Sequence, residues 1–402
     1  MNKIRNILKK VPFLVRIKRL ITREKMSSIS LFDLKEIEAS KNNNKHKIVL
    51  VGHNGGTGGA EVLLENIAKK LISNSIDVVI LTRGDGPIIK SYREIAPTYV
   101  VDNYEIVKDI LKKLKANNYK TVILNTVVNG DLVKLFNKNG YHTMSLIHEL
   151  PGVIKELKVE QRAKEISGHS NLIVFPSTYV YSKFTNIFNV KKPYVIKSQG
   201  LYMKHSNYKC ENGKKYLKEK YDIDESKIIV LNAGVGEKRK GIDLFINMAK
   251  KCKDEKVHFV WVGELSNEIK KKFNKDITKL TNLTMVGFVS DKEQFLKFYE
   301  GCDIFALTSR EDPFPSVVLE ALNAAIPVVA FGNAGGFVDV VKNDKTGYLI
   351  EYERDDLMLE KIIYLAYDLE KRKKLGKNAK NVCKDYSFDN YIKFLIEKSR
   401  GI

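Results

Sequence analysis

The sequence has few cysteines and no local cysteine pair. Its four cysteines, Cys210, Cys252, Cys302 and Cys383, are far apart, so neither a disulfide framework nor a zinc site is predicted, and reduced thiols are expected. Negative charge is also scarce: 48 Asp and Glu residues stand against 69 Lys and Arg residues, and the formal net charge is +21. This charge favours an anionic partner, whether nucleotide phosphates, nucleic acid or an acidic membrane surface.

The first 25 residues lack a long apolar run and a small-residue cleavage site. Their longest uninterrupted apolar stretch, Val11–Val15, is too short to span a bilayer, so neither a transmembrane helix nor a signal peptide is predicted. Lys and Arg are frequent here, Glu24 alone is acidic, and apolar residues recur at nearly helical spacing. A helix on an anionic membrane surface and a solvated or packed basic leader both remain open. Residues 1–45 are interpreted as a basic amphipathic leader and linker.

Length and patterning predict two domains. The 402 residues exceed what one hydrophobic core usually supports, and 44% of them are hydrophobic. Apolar runs alternate with amphipathic stretches over residues 46–200 and again over residues 201–385. This alternation predicts an α/β fold of two Rossmann-like domains, each with a mostly parallel sheet covered by helices. The predicted strands are Lys47–Gly52, Asp77–Leu81, Thr98–Val101, Thr121–Asn125, Thr143–Ile147, Leu172–Phe175, Tyr194–Lys197, Lys227–Asn232, Val257–Val262, Leu283–Val286, Asp303–Leu307 and Pro327–Ala330.

The loops after these strands are the expected ligand sites, because ligands bind outside the carboxyl ends of parallel strands. The loop after the first strand contains Gly58 and Gly59 and opens a helix, so its amides are suited to an anion, although it matches neither GxGxxG nor a P-loop. His148 follows the fifth strand; it is a candidate donor to a substrate oxygen, although a single histidine is more often structural.

Two loops of the second half are suited to phosphate. Gly234 follows the predicted strand Lys227–Asn232, and Arg239 and Lys240 come next at the start of a helix, where a guanidinium and an ammonium could bind a diphosphate. A solvated basic turn is the alternative. Gly335 and Gly336 precede another predicted helix and repeat the glycine-rich arrangement that favours phosphate binding.

The most informative block runs from Asp303 to Gly336, where a buried strand ends in acidic residues and a helix follows at once. Glu311, Asp312 and Glu320 are suited to accept hydrogen bonds from sugar hydroxyls. The alternatives are a capping role for Asp312 and a helix-dipole role for Glu320.

Together these loops resemble the retaining glycosyltransferases of family 4, which have the GT-B fold of two Rossmann-like domains facing across a cleft. The resemblance covers nearly all of the chain from His46 and is most specific in Ser309–Ala321, which is similar to the family's E-x7-E block, and in Arg239–Gly241. Asp312, not Glu311, stands at the first glutamate of that block, so this sequence departs from the strict pattern. Residues 386–402 are similar to the family's last helix, which crosses back to the first domain.

The resemblance implies roles for individual residues. Asp312, or the neighbouring Glu311 in its place, would contact the donor sugar and Glu320 the ribose, while His148 would face the sugar from the first domain. Lys240 matches the family lysine, and Arg239 is expected to replace the arginine often found at position 235, which is valine here. The expected catalytic residues are His148, Arg239, Lys240, Asp312 and Glu320. The expected donor- and phosphate-binding residues are Gly58, Gly59, Gly234, Glu311, Phe314, Pro315, Ser316, Val317, Gly335 and Gly336.

The implied activity is transfer of a sugar, with retention, from a nucleotide-sugar donor to a saccharide or polyprenyl-linked saccharide acceptor in surface-polysaccharide synthesis. No metal and no cofactor are expected. Nucleic acid is not an expected partner, because the basic residues are scattered without interleaved aromatics. A cytoplasmic location is expected, and a peripheral position on the inner face of the membrane stays open. The alternatives are a non-hydrolysing nucleotide-sugar epimerase, another GT-B enzyme such as a phosphorylase, or a non-catalytic protein that binds a polyanion or membrane.

Overall fold

The computed structural model describes residues 46–101, 104–202 and 210–400. The predicted leader, residues 1–45, lies outside the described residues. The described part contains two parallel sheets whose strands alternate with helices, so the predicted α/β fold is confirmed.

The first sheet has seven strands in the order β3-β2-β1-β4-β5-β6-β7. Strand β1 is central and pairs in parallel with β2 and β4, so that Leu50 lies opposite Ile80 and Ile123. Every residue of β1 is buried, as expected for a parallel strand covered on both faces. The seven strands are β1 Lys47–Gly52, β2 Asp77–Thr82, β3 Thr98–Val100, β4 Thr121–Asn125, β5 His142–Leu146, β6 Leu172–Phe175 and β7 Tyr194–Ile196.

The second sheet has six strands in the order β10-β9-β8-β11-β12-β13. Its central strand is again fully buried, and Val230 of that strand pairs with Phe259 and Ile304 on either side. The six strands are β8 Ile228–Ala233, β9 Val257–Val262, β10 Leu283–Gly287, β11 Ile304–Leu307, β12 Val328–Phe331 and β13 Gly347–Ile350.

Helices connect the strands in the βαβ manner. Amphipathic α9 shows why they pack on the sheets: Ile242, Phe245, Ile246 and Ala249 are buried, at the i, i+3, i+4, i+7 spacing of one helix face. The described helices are α1 Gly59–Ser73, α2 Ile89–Ile95, α3 Tyr104–Ala116, α4 Val133–Lys138, α5 Pro151–Glu156, α6 Glu160–His169, α7 Thr178–Thr185, α8 Cys210–Tyr221, α9 Ile242–Lys251, α10 Asn267–Ile277, α11 Lys292–Glu300, α12 Ser316–Asn323, α13 Asp355–Tyr367, α14 Leu369–Cys383 and α15 Phe388–Arg400.

The chain forms two compact units. One contains the described residues up to Leu146, together with Gln161–Leu172 and the residues from Ile396 onward. Within it, Ser399 near the end of α15 lies beside β1 and β4: its Oγ is 2.7 Å from His46 Nε2, and its carbonyl accepts from Thr121 Oγ1 at 3.1 Å. The other unit contains Ile147–Glu160 and Ile173–Leu395.

The sequence prediction missed one strand and misplaced several strand ends. Strand β13 was not predicted; its four residues follow a polar turn and begin with a glycine, which weakens a strand pattern. Strand β3 ends at Val100 instead of Val101, and β5 runs one residue ahead of the prediction. Among the described residues, no helix combines the length and the apolar character needed to cross a membrane.

Candidate active site

The loops after β8 and β11 meet at the point where the strand order of the second sheet reverses. In both sheets the strand order corresponds to 3-2-1-4-5-6, and ligands of such sheets bind between the first and fourth strands of that order, here β8 and β11. The two loops are joined by hydrogen bonds. Thr308 Oγ1 donates to the carbonyl of Lys240 at 3.1 Å, and the amide of Arg310 donates to the carbonyl of Arg239 at 2.8 Å.

Two glycines shape the loop after β8. Gly234 has φ of 147°, which side-chain-bearing residues rarely adopt, and its carbonyl accepts a hydrogen bond from Trp261 Nε1 at 3.0 Å. Gly241, which precedes α9, is left-handed with φ of 71°, and a Cβ on it would lie 1.9 Å from the carbonyl oxygen of Thr308. The backbone of this loop is therefore constrained before α9, and the turn Lys238–Lys240 lies between the two glycines.

Lys240 forms an ion pair with Asp312 at this switch point. The Lys240 ammonium contacts Asp312 Oδ2, which also accepts a hydrogen bond from Ser309 Oγ at 3.3 Å. Asp312 is 3% exposed, and burying a carboxylate is costly unless it is paired and hydrogen-bonded, as Asp312 is here. The structure therefore brings two of the predicted catalytic residues together.

Arg239 lies beside the same loop. Its guanidinium donates to the backbone carbonyl of Glu311 at 3.0 Å and pairs with Glu237 Oε1 at 2.7 Å. About a third of the side chain is exposed, so the guanidinium can reach an anion at the edge of the sheet. Glu237 was not predicted as a site residue; an acidic residue within a basic turn gives no spacing signal.

The glycine loop after β12 is joined to the acidic block. The amide of Asp312 donates to the Ala334 carbonyl at 2.8 Å, and the amide of Gly336 donates to the carbonyls of Asp312 at 3.2 Å and Pro313 at 2.9 Å. A Cβ on Gly335 would lie 1.9 Å from the Asp312 carbonyl oxygen, so glycine is needed for the close approach. The Gly336 amide, expected to bind phosphate, is engaged within the protein here.

Glu320 is buried in α12 among hydroxyl groups. It is 2% exposed, and its Oε2 accepts a hydrogen bond from the Tyr299 hydroxyl at 2.8 Å. Burial raises the pKa of Glu320 to about 7, while hydrogen bonds from Tyr299 and Ser316 act in the opposite direction. Burial, followed by the nearby charge of Glu320, raises the pKa of Tyr202 to about 12. Tyr299 and Tyr202 were not predicted, because a tyrosine in an apolar pattern usually means core.

The other predicted residues of this block pack around the start of α12. Pro315 is the residue before the helix, and Ser316 is its first residue. Phe314 is buried and stacks on Tyr386, with ring centroids 5.9 Å apart. Val317 is half-buried, and its carbonyl lies 3.4 Å from the Tyr299 hydroxyl. The structure thus shows a packing role for Phe314, and donor contacts by these residues remain a prediction.

Glu311 contacts the segment that carries His148. Glu311 Oε1 accepts hydrogen bonds from the amides of Gly152 at 3.1 Å and Val153 at 3.4 Å. His148 is half-buried four residues before Gly152, and its amide donates to Glu149 Oε2 at 3.1 Å. All of these residues belong to the same compact unit.

Gly58 and Gly59 belong to the other unit, at the start of α1. Gly58 precedes the helix and Gly59 is its first residue; both are exposed. The buried Glu61 carboxylate lies 3.2 Å from His53 Nε2, and a Cβ on Gly58 would lie 2.6 Å from Glu61 Oε2. Burial lowers the pKa of His53, with Glu61 acting in the opposite direction. His53 and Glu61 are polar groups of this loop that the site prediction left out.

Metal ligands are not clustered in the described part of the chain: no three His, Cys, Asp or Glu side chains there lie close enough to hold an ion. The absence of a metal and of a cofactor in the reaction stays a prediction.

Comparison with known proteins connects this geometry to an activity. Residues 213–382 match the family model described as glycosyl transferases group 1. A processive diacylglycerol alpha-glucosyltransferase of Acholeplasma laidlawii is 32% identical over 168 residues, which are 41% of this chain and 49% of the relative. The amylovoran biosynthesis glycosyltransferase AmsD of Erwinia amylovora is 20% identical over 368 residues, 86% of this chain and 97% of the relative. The matches support a glycosyltransferase.

The structural comparison gives the fold. The crystal structure of Anabaena HepE in complex with UDP and glucose superimposes with a TM-score of 0.74 at 19% identity, over 88% of this chain and 99% of that one. With its two parallel α/β sheets, the chain has the GT-B fold. Its candidate residues from Gly234 to Gly336 lie within the matched range 213–382, whereas Gly58, Gly59 and His148 lie outside it.

Proposed function

We propose that this protein is a retaining, metal-independent glycosyltransferase of family 4 that moves a sugar from a nucleoside-diphosphate donor to a saccharide or lipid-linked saccharide. The observation that carries the proposal is the arrangement at the switch point of the second sheet. There, Arg239 and Lys240 lie beside the buried Asp312, and Glu320 follows in α12. The match to group 1 glycosyl transferases covers all four residues.

Arg239 and Lys240 are the groups proposed to bind the donor diphosphate. Breaking the bond between sugar and diphosphate places negative charge on the leaving group, and fixed cations are the usual means of stabilising it. In the free protein the Lys240 ammonium is paired with Asp312. A bound diphosphate would share that ammonium, so the two cations could carry out the charge stabilisation for which other enzymes use a divalent ion.

Asp312 and Glu320 are proposed to bind donor hydroxyls. Ionised carboxylates are acceptors only, and sugar and ribose hydroxyls are their natural donors. Asp312 would contact the sugar and Glu320 the ribose. The hydroxyls of Tyr299 and Ser316 already donate to Glu320, so the carboxylate is oriented before the nucleotide binds, which lowers the entropic cost of binding.

Retention is proposed to proceed by attack on the same face of the sugar from which the diphosphate departs. The leaving phosphate would accept the proton of the acceptor hydroxyl, so no protein base is required. His148 is proposed to donate a hydrogen bond to the sugar.

The acceptor is proposed to belong to surface-polysaccharide or glycolipid synthesis. This proposal is supported by the names of two relatives, which describe amylovoran biosynthesis and transfer of glucose to diacylglycerol. The Anabaena structure holds UDP and glucose, which makes UDP-sugars the first donors to test. A basic leader would be attracted to an anionic membrane surface, so we propose a cytoplasmic protein that binds the inner face of the membrane.

The test is release of nucleoside diphosphate from a panel of UDP, GDP and dTDP sugars in EDTA, with saccharide and lipid-linked acceptors. Turnover of one donor should be lost in Lys240→Ala and Glu320→Ala, and kept in Lys250→Ala and Glu360→Ala, which remove exposed residues of the same types. NMR of the product should show the anomeric configuration of the donor. An inverted product would contradict retention, and loss of turnover in EDTA would contradict metal independence.

The same assay separates the alternative functions. An epimerase would return a nucleotide sugar with a changed ring configuration instead of a glycoside. A non-catalytic binding protein would bind nucleotide without releasing diphosphate from any donor.

A further inference from the structure

Two carboxylates of the candidate site bind backbone amides at the starts of two helices in the same compact unit. Glu311 accepts from Gly152 and Val153, in the first turn of α5, at 3.1 and 3.4 Å. Asp339 accepts from Thr178, the first residue of α7: the amide lies 3.1 Å from Oδ2 and the hydroxyl 2.6 Å from Oδ1. Amides in the first turn of a helix have no partner within the helix, and a carboxylate there is favoured by the helix dipole.

The contact between Glu311 and α5 leaves no room for a side chain at position 152 unless the Glu311 carboxylate moves. A Cβ on Gly152 would lie 2.1 Å from Glu311 Oε2. Gly152 is helical, so alanine would fit its backbone conformation. What excludes a side chain at position 152 is therefore the Glu311 carboxylate and not the conformation of the chain.

The contact at α7 is similarly close. A Cβ on Gly336 would lie 2.3 Å from Ser177 Oγ, and the Tyr179 hydroxyl donates to the Asn333 carbonyl at 2.5 Å. Gly336 and Asp339 are the first and last residues of the same short turn. The start of α7 is thus hydrogen-bonded to Asn333 and Asp339 and packs closely against Gly336.

Glu311 connects α5 to predicted catalytic residues, and Asp339 connects α7 to the loop of Gly336, which is predicted to bind phosphate. Glu311 directly precedes Asp312, and α5 begins three residues after His148. We propose that Glu311 and Asp339 are positioning residues, which hold the starts of α5 and α7 against the loops of Asp312 and Gly336, and that Glu311 is not a ligand of the donor. The role in catalysis rests on the proposed function, whereas the contacts themselves do not.

Hydrogen exchange tests the contact of Glu311 without any substrate. Glu311→Ala should speed exchange of the amides of residues 152 and 153 by about ten-fold, because each loses a hydrogen bond to a charged acceptor. Glu311→Gln should have a smaller effect, since its amide oxygen still accepts. Glu156→Gln, which alters an exposed carboxylate of the same helix, should leave these two amides unchanged. In the same way, Asp339→Ala should speed exchange of the Thr178 amide.

A double-mutant cycle tests the close approach. Gly152→Ala should lower the melting temperature of the wild-type protein, because its Cβ displaces the Glu311 carboxylate. The same substitution in the Glu311→Ala protein should have no cost, since the space is then free and alanine is the better helix former. Equal effects in both backgrounds would show that the two positions are independent and would overturn the proposal.

Activity then separates a positioning residue from a donor ligand. Glu311→Ala should lower kcat while the KM for the donor changes less than two-fold, and Glu311→Gln should recover part of kcat. The proposal would be overturned if, in Glu311→Ala, the KM for the nucleotide sugar rose by as much as kcat/KM fell and amide hydrogen exchange at residues 152 and 153 were unchanged. That result would identify Glu311 as a ligand of the nucleotide sugar. If the wild-type protein turns over no donor, the proposed function fails, and the exchange rates and the cycle still decide whether the contacts exist.

Discussion

Replacing Glu320 by glutamine should stabilise the protein relative to wild type, and the gain in the free energy of unfolding should be larger at high pH than at low pH. Burial raises the pKa of this carboxyl from 4.5 to about 7. The folded protein therefore keeps a proton on Glu320 between these two values, where the unfolded chain has lost it. Because the folded state binds more protons, this group's contribution to the free energy of unfolding falls as pH rises from 4.5 to 7 and stays low above that range.

The magnitude follows from the two pKa values. With 1.36 kcal/mol for each pKa unit, the destabilisation by Glu320 is roughly 1 kcal/mol at pH 5 and about 3 kcal/mol at pH 8. Glutamine has nearly the same shape and does not ionise, and its carbonyl oxygen can still accept from the hydroxyl of Tyr299. The variant should therefore gain about 2 kcal/mol over wild type between pH 5 and pH 8.

Urea unfolding of both proteins at pH 5, 6, 7 and 8 measures this gain. Glu360→Gln is the matched control, because it removes the charge of an exposed glutamate in α13, and its difference from wild type should be small at every pH. The reasoning is refuted if the difference between Glu320→Gln and wild type is the same at pH 5 and pH 8. In that case burial does not hold the proton on Glu320.

Two further expectations follow from the site and a third from the basic leader. Lys240→Ala should cost about 3 kcal/mol in unfolding experiments, because it leaves Asp312 buried without its cation, and adding Asp312→Asn should restore part of the loss; additive costs would contradict the pairing. Tyr299→Phe removes a hydrogen bond that lowers the pKa of Glu320, so that pKa should rise. The pH above which the KM for the nucleotide sugar falls should therefore rise as well, and an unchanged pH profile of KM would show that Tyr299 does not have this role. Removing residues 1–25 should weaken binding to anionic liposomes; unchanged binding would exclude the leader as the membrane contact.

The strands were largely predictable because parallel strands buried on both faces are continuous apolar runs. Strands β1, β4, β6 and β9 have the predicted bounds, and each is bordered by glycine, proline, polar or charged residues that end the run. Strand β13 was missed because Gly347–Ile350 begins with a glycine, which weakens a strand pattern, and its place is set by pairing with β12, which the local sequence does not show.

The contacts of the site were less predictable than its residues. The block around Asp312 and Glu320 was found because it is contiguous and follows a strand. Its partners are distant in sequence: Lys240 is 72 residues from Asp312, and Tyr299 is 21 residues from Glu320. No spacing rule links such pairs, since only the order of the strands brings them together. The amide partners of Glu311 had no signal at all, because a backbone N–H is the same in nearly every residue.

The substitution of aspartate for the family glutamate at position 312 is compatible with the geometry around it. Its backbone is drawn to the glycine loop by hydrogen bonds with Ala334 and Gly336, and its short side chain ends at Lys240 and Ser309. A glutamate there would carry its carboxylate one methylene further from the backbone. The close approach of the two loops, which depends on Gly335, therefore helps to fix the place where the Asp312 carboxylate meets Lys240 and Ser309.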